Sequence, residues 1–147
     1  MAKKSPTART LEYLRDNDWP LVQVVEHYNP FSKQRKDLFG FADVIAMSPT
    51  QGTLLVQVTS GTHVNERIRK MRDECPEQVE AAIATPNVSV VVHGWRKVRI
   101  CTKCGEMKFS KQCSCKGSKH VARWRPIIVE VTLEVLYATQ EHEEQET

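Results

Sequence analysis

The sequence predicts an α/β fold, a mixed β-sheet flanked by helices, carrying a small insertion built on four cysteines. Three observations predict it. Apolar, β-branched runs of strand length recur along the chain, two stretches place apolar residues at helical spacing, and four of the five cysteines fall between residues 101 and 115. A chain of 147 residues suits one domain with one embellishment.

Taken in order, Thr7 to Asp16 sets Leu11 and Leu14 three apart among Glu12, Arg15 and Asp16, a short amphipathic helix that Trp19-Pro20 ends. Leu21 to Tyr28 (LVQVVEHY) reads as a strand, and NPFSKQRKD after it as a polar connection. Phe41 to Met47 and Thr53 to Ser60 read as a hairpin, joined by SPTQG with its turn residues Pro49 and Gly52. Val64, Ile68 and Met71 then recur at helical spacing, and Pro76 divides the stretch into helices over Val64 to Glu74 and Glu77 to Ile83. Asn87 to Trp95 (NVSVVVHGW) is a further strand. Pro126 to Tyr137 alternates apolar and polar residues, as a half-buried strand does. The expected organisation is a core of residues 1–97 and 124–138, an insertion over 98–123 and an acidic disordered tail over 139–147.

A hydrophobic fraction of 40% and a charged fraction of 27% are those of a soluble globular protein, and no apolar run approaches a membrane span. MAKKSPTART has basic residues but no apolar stretch behind them, so a cytoplasmic location is expected. The net charge of +3 is unevenly spread: Arg96 to Arg125 holds ten Lys and Arg residues against the single acid Glu106. That segment favours a polyanion. The final QEHEEQET is acidic without apolar anchors, a tail that solvates the protein or shields the basic surface.

The segment CTKCGEMKFSKQCSCKG sets a Cys-x2-Cys pair and a Cys-x-Cys pair eight residues apart. Cys101, Cys104, Cys113 and Cys115 can close a tetrahedron of thiolates around Zn2+, with Gly105 suited to the tight turn after the first pair. Four thiolates leave no open position for water, so the expected zinc is structural. His120 is a spare ligand candidate. Between the pairs, Lys108, Phe109 and Lys111 set an aromatic among cations. Phe109 either stacks on an exposed base or packs over the zinc, and Arg96, Lys97, Lys116 and Lys119 extend the candidate nucleic-acid surface.

The segment from Lys36 to Ser60, KDLFGFADVIAMSPTQGTLLVQVTS, resembles the PD-(D/E)XK nuclease superfamily, whose hairpin carries Gly-x-x-Asp and then a strand ending in Glu-x-Lys or Gln-x-Lys. Gly40-Phe41-Ala42-Asp43 matches the first half and Gln57-Val58-Thr59 the second. DLFGFAD, QVTS, the HVNERIRK helix and VHGWRK together resemble small bacteriophage and prophage proteins related to resolvase-type nucleases. The resemblance spans roughly Leu11 to Lys97 and Trp124 onward, and implies a restriction-endonuclease-like core with the knuckle inserted. It further implies a Mg2+- or Mn2+-dependent DNA nuclease or Holliday-junction-resolvase-like phosphodiesterase, often a homodimer because two strands are cut.

Hard oxygen ligands suit those cations. Asp43 and the Gln57 side-chain oxygen are the candidate ligands, with Glu12 or Glu26 as an additional acid. Gln57 and Thr59 share a face because side chains alternate along a strand. Thr59 stands where the superfamily keeps a Lys that steadies developing charge, and a hydroxyl does not replace that positive charge. Arg67 or Lys70, three apart on the following helix, could supply it. His63 and His93 read as structural and Trp95 as core. Two other functions stay open: a nuclease-fold protein that binds DNA without cutting, and a phage module that contacts a protein partner and inhibits a host enzyme.

Overall fold

A computed structural model describes residues 3–103, 107–108 (backbone only) and 119–138. Helix α1 (Pro6–Asp16) starts one residue before the expected Thr7, with the Ser5 hydroxyl accepting from the Ala8 amide and Pro6 filling a position that needs no donor. It leads into β1 (Leu21–Val24), β4 (Val44–Ser48) and β5 (Gly52–Ser60), an antiparallel meander. A single 3-10 turn over Gly61–His63, α2 (Val64–Glu74) and α3 (Pro76–Ala84) then carry the chain to β6 (Val88–Cys101), which runs parallel to β5. On the far side of β6 lies antiparallel β8 (His120–Glu130), while β7 (Met107–Lys108) pairs with Arg99 and Ile100 beyond the end of β5. The sheet is therefore mixed, in the order β1-β4-β5-β6-β8.

Helices cover both faces because the central strands bury both sets of side chains. On one face Val44, Ala46, Leu54, Val56, Val58, Val91 and Trp95 pack with Leu14 of α1. On the other, Leu55, Val90 and Val92 pack with Val64, Ile68 and Met71 of α2 and Val79 of α3. Gly94 lets α2 start against the sheet: a Cβ there would meet Val64 Cγ2 at 2.3 Å.

The structure corrects the sequence reading in three places. Leu21 to Tyr28 is not one strand: β1 stops at Val24, and β2 (His27–Asn29) pairs with β3 (Gln34–Lys36) in a separate hairpin where a polar connection was expected. Asn29 Oδ1 makes the turn by accepting from the Phe31 amide at 2.9 Å. Pro126 to Tyr137 is not one strand either. The chain leaves the sheet at Glu130, and Thr132, whose hydroxyl oxygen accepts from the Val135 amide, begins a helical turn over residues 133–138 that seats Leu136 in the core. Third, β6 continues six residues past Trp95. It stays paired with β8 as far as Cys101 opposite His120, so the outer parts of the expected 98–123 insertion are strands of the main sheet. The acidic tail lies outside the described residues.

Candidate metal centre and cleft

The heptapeptide DLFGFAD folds back on itself. Leu38 and Ala42 exchange backbone hydrogen bonds of 2.8 and 2.9 Å, with Phe39 and Gly40 in the left-handed region between them at φ of 56° and 87°. Phe41 and Ala42, both fully buried, fix this small loop to the core. The two acids that bracket it, Asp37 and Asp43, are thereby set side by side. The sheet ladder supplies a third: the Val25 amide donates to the Asp43 carbonyl, which brings the next residue, Glu26, alongside. Glu26, Asp37 and Asp43 each offer a carboxylate oxygen within 4.8 Å of the others.

Asp43 is 6% exposed, and its Oδ2 accepts from Gln57 Nε2 and from the Val58 amide, both at 2.8 Å. Burial pushes its carboxyl up to about 8, against the lowering effect of the Val58 amide and with the neighbouring Asp37 and Glu26 adding to the rise. Without a counter-ion the site prefers a proton. Three oxygens at this separation suit a divalent cation of Mg2+ or Mn2+ type, which would replace that proton and relieve the repulsion. The residues present therefore fit such an ion.

Above Gln57 opens a cleft of about 370 Å3, walled on one side by Arg35, Lys36 and Asp37 and on the other by Arg67, Lys70 and Glu74 of α2. Of the residues singled out from sequence, Gln57, Arg67 and Lys70 line this cleft, while Asp43, bonded to Gln57, and Glu26 adjoin it through their cluster with the lining residue Asp37. Thr59 lies one step further along the same face of β5, buried. Glu12 does not join them. It sits on α1, which packs on the opposite face of the sheet, where Lys4 binds it at 2.6 Å and holds its carboxyl below the usual range. Asp37 was missed by sequence reasoning, although its placement three residues before Gly40, with Asp43 three after, is a visible signal that the turn would join the two.

His93 and Trp95 belong to the other face, among the core residues. Trp95 Nε1 donates to Thr10 Oγ1 at 2.8 Å, the same hydroxyl lies 3.2 Å from His93 Nδ1, and Tyr13 meets both rings edge to face. His63 is exposed and bonded to Glu66 at 2.8 Å.

The basic ribbon of β6 and β8 carries Arg96, Lys97, Arg99, Arg123 and Arg125, with Lys97 and Arg9 of α1 over the ring of Trp124 at 5.7 and 4.1 Å. Lys119 is exposed at the foot of β8. Cys101 is buried at the end of β6. Cys104, Phe109, Lys111, Cys113, Cys115 and Lys116 lie outside the described residues, as does the Lys108 side chain. Among the described residues no helix is long and apolar enough to cross a membrane. Comparison of the chain with protein families, curated proteins and solved structures gave no match.

Proposed function

We propose that this chain is a metal-dependent phosphodiesterase acting on DNA, a nuclease of the PD-(D/E)XK type. The observation that carries the reading is the convergence of Glu26, Asp37 and Asp43 beside a cleft with basic groups on both walls. An acidic centre flanked by cations is what a phosphodiester needs: the anionic backbone is held by Arg and Lys while its scissile phosphate is presented to a bound metal. Asp43, Asp37 and Glu26 would hold Mg2+ or Mn2+, which supplies Lewis acidity and lowers the pKa of an attacking water.

The protein groups have separable parts in this scheme. Gln57 fixes the Asp43 carboxylate through its amide hydrogen, and Arg67 and Lys70 offer positive charge to the phosphate oxygens from the facing wall. The basic ribbon binds the backbone further out. Zinc held by Cys101, Cys104, Cys113 and Cys115 is the proposed structural metal, supported by the ladder that pairs Cys101 with His120 and continues through a 3.0 Å bond from the Thr102 amide to the Lys119 carbonyl. It brings residues 101–102 and 119–120, which flank the rest of the segment, together.

A second reading, DNA binding without cleavage, is favoured by one observation: Thr59 is buried and uncharged where the superfamily pattern expects Lys. Labelled branched and linear DNA incubated with the protein in Mg2+ or Mn2+ separates the two. Products that vanish in Asp43→Ala, with binding kept, support the phosphodiesterase. Tight binding with no product in either metal supports the second reading.

A further inference from the structure

Between Glu26 and Asp37, two of the three clustered acids, the chain makes one excursion: the β2-β3 hairpin, His27↔Lys36, Tyr28↔Arg35 and Asn29↔Gln34. All ten residues from His27 to Lys36 are exposed, so neither face of the hairpin packs on the body. Such a two-stranded unit is marginal by itself in water. It is tied at its root, where Arg35 lies 3.6 Å from Glu26, and at its tip, where Asn29 accepts from the Phe31 and Ser32 amides. Beyond the tip stands Phe31, 97% exposed, with Tyr28 57% exposed below it. The ten residues include Lys33, Arg35 and Lys36 and no acid.

An aromatic ring held wholly in water on an exposed turn gives up the roughly 2 kcal/mol that burial would contribute. Nothing in the fold requires it there. Cations along a strand with aromatic rings at its end are the two components that bind a nucleic-acid strand, phosphates on the cations and a base face on the ring. Arg35 and Lys36 also line the cleft beside Asp37, so the cations of the hairpin stand next to one of the three clustered acids.

We propose that this hairpin is a recognition finger for DNA containing an unpaired or unstacked base, with Phe31 stacking on that base while Lys33, Arg35 and Lys36 hold the adjoining phosphates. The proposal rests on the phosphodiesterase reading and deepens it: the substrate is DNA with a break in its base stack, at a branch, overhang or gap, rather than continuous duplex. A ring in an intact stack has both faces covered, so only an interrupted stack offers Phe31 a face without the cost of unstacking. The reach of the finger limits the geometry. Four steps from His27 to Phe31 at no more than about 3.3 Å each set an upper limit of roughly 13 Å. A stacked strand rises about 3.4 Å per nucleotide, so the stacked base lies within about four nucleotides of the phosphate at the acids.

The test is binding by the full-length protein without Mg2+ or Mn2+, using a branched DNA with 2-aminopurine at the branch and a continuous duplex of matched length. The expected result is that Phe31→Ala weakens binding to the branched DNA roughly tenfold and abolishes the 2-aminopurine fluorescence change. Phe31→Trp should restore both, and duplex affinity should stay as it was. Lys33→Ala should weaken both DNAs and lower the salt slope by about one. Because Phe31 touches almost nothing, its loss leaves folding intact. Unchanged affinity and fluorescence in Phe31→Ala, or an equal loss on duplex, overturns the finger. A protein that shows the Phe31 effects yet cuts no DNA in Mn2+ overturns the phosphodiesterase reading alone and leaves the finger standing.

Discussion

Gln57 donates its side-chain amide hydrogen to Asp43 Oδ2 across 2.8 Å, joining the two strands of the central hairpin at the point where the acid cluster begins. A Glu at this position would repel Asp43 unless a cation lay between them. Gln57 therefore keeps Asp43 in place whether or not metal is bound, and the carboxylates that would gather a cation are instead Asp37 and Glu26, contributed from outside the strand pair.

Asp43→Asn should stabilise the protein in the absence of added Mg2+ or Mn2+. The folded-state value of about 8 lies above the ordinary 3.8, so between these limits the native state holds a proton that the unfolded chain releases. Stability contributed by the site thus falls as pH rises from about 4 to about 8 and is constant above. Asparagine has no proton to lose. Its melting temperature should exceed that of the wild type at pH 8, by roughly 2–4 °C for each kcal/mol that the buried charge costs in a chain of this size, and the gap should close toward pH 4. A gap independent of pH across that range would remove the buried-carboxyl account.

Gln57→Glu should make the fold depend on the cation. The substitution removes the amide donor and sets a fourth carboxylate against Asp43, a loss of about 1–3 kcal/mol without metal. With Mn2+ the extra charge becomes a further oxygen ligand. Melting curves across a Mn2+ titration should show the variant below wild type at zero metal and gaining more per decade of metal, since only the native state binds. Parallel titrations would place the cation away from Gln57.

Much of this arrangement can be read from sequence where one local rule governs. Leu54 to Val58 alternates between two buried faces, and Val64, Ile68 and Met71 repeat at helical spacing, so strand β5 and helix α2 follow from period alone. Gln57 lies on that strand, and Asp43, one residue before β4, was singled out by the resemblance that Gly40-Phe41-Ala42-Asp43 carries. Asp37 escaped because its role comes from a left-handed turn at Phe39 and Gly40, and a Phe at positive φ is not something its own preference predicts. Glu12 was misplaced for a related reason: helical spacing establishes that α1 is amphipathic but not which face of the sheet it covers. The tail of β8 was misjudged because Val131, Thr132, Val135 and Leu136 satisfy strand alternation in part and helical spacing in part, and Thr132 as a cap decides for the helix.

His93 should produce a separate acid-side loss. Burial depresses its ring to about 4 from the usual 6.5, so below about pH 6.5 the unfolded chain takes up a proton that the native state refuses. Stability from this group is full above 6.5 and falls as pH drops through the folded value near 4. His93→Gln should lower stability by about 1–3 kcal/mol at pH 7 because the contact with Thr10 and the ring packing are lost. The difference from wild type should then narrow between pH 6.5 and 4. Asp43 titrates in the opposite sense over part of this window, but it is present in both proteins and cancels in the difference. A difference that stays constant would mean that His93 is protonated while folded.

The zinc expectation can be tested through the one cysteine of the set that the structure describes. Cys101 is 1% exposed at the last paired position of β6, and among the described residues the ladder continues past it through Thr102 and Lys119. If Cys101, Cys104, Cys113 and Cys115 share an ion, metal and sheet end are linked: ligand deprotonation and ordering of the segment contribute directly to folding free energy. Protein purified without added zinc should then contain one Zn2+ per chain. Cys101→Ser should lose it, and the loss should remove amide-exchange protection from residues 97–101 and 120–124 while leaving β5 and α2 protected, because the core contacts of those elements lie at the other end of the sheet. Zinc content near zero with four titratable thiols in the folded protein would sink the four-thiolate site. Zinc retained in Cys101→Ser would point to His120, the cross-strand neighbour of Cys101, as the ligand in its place.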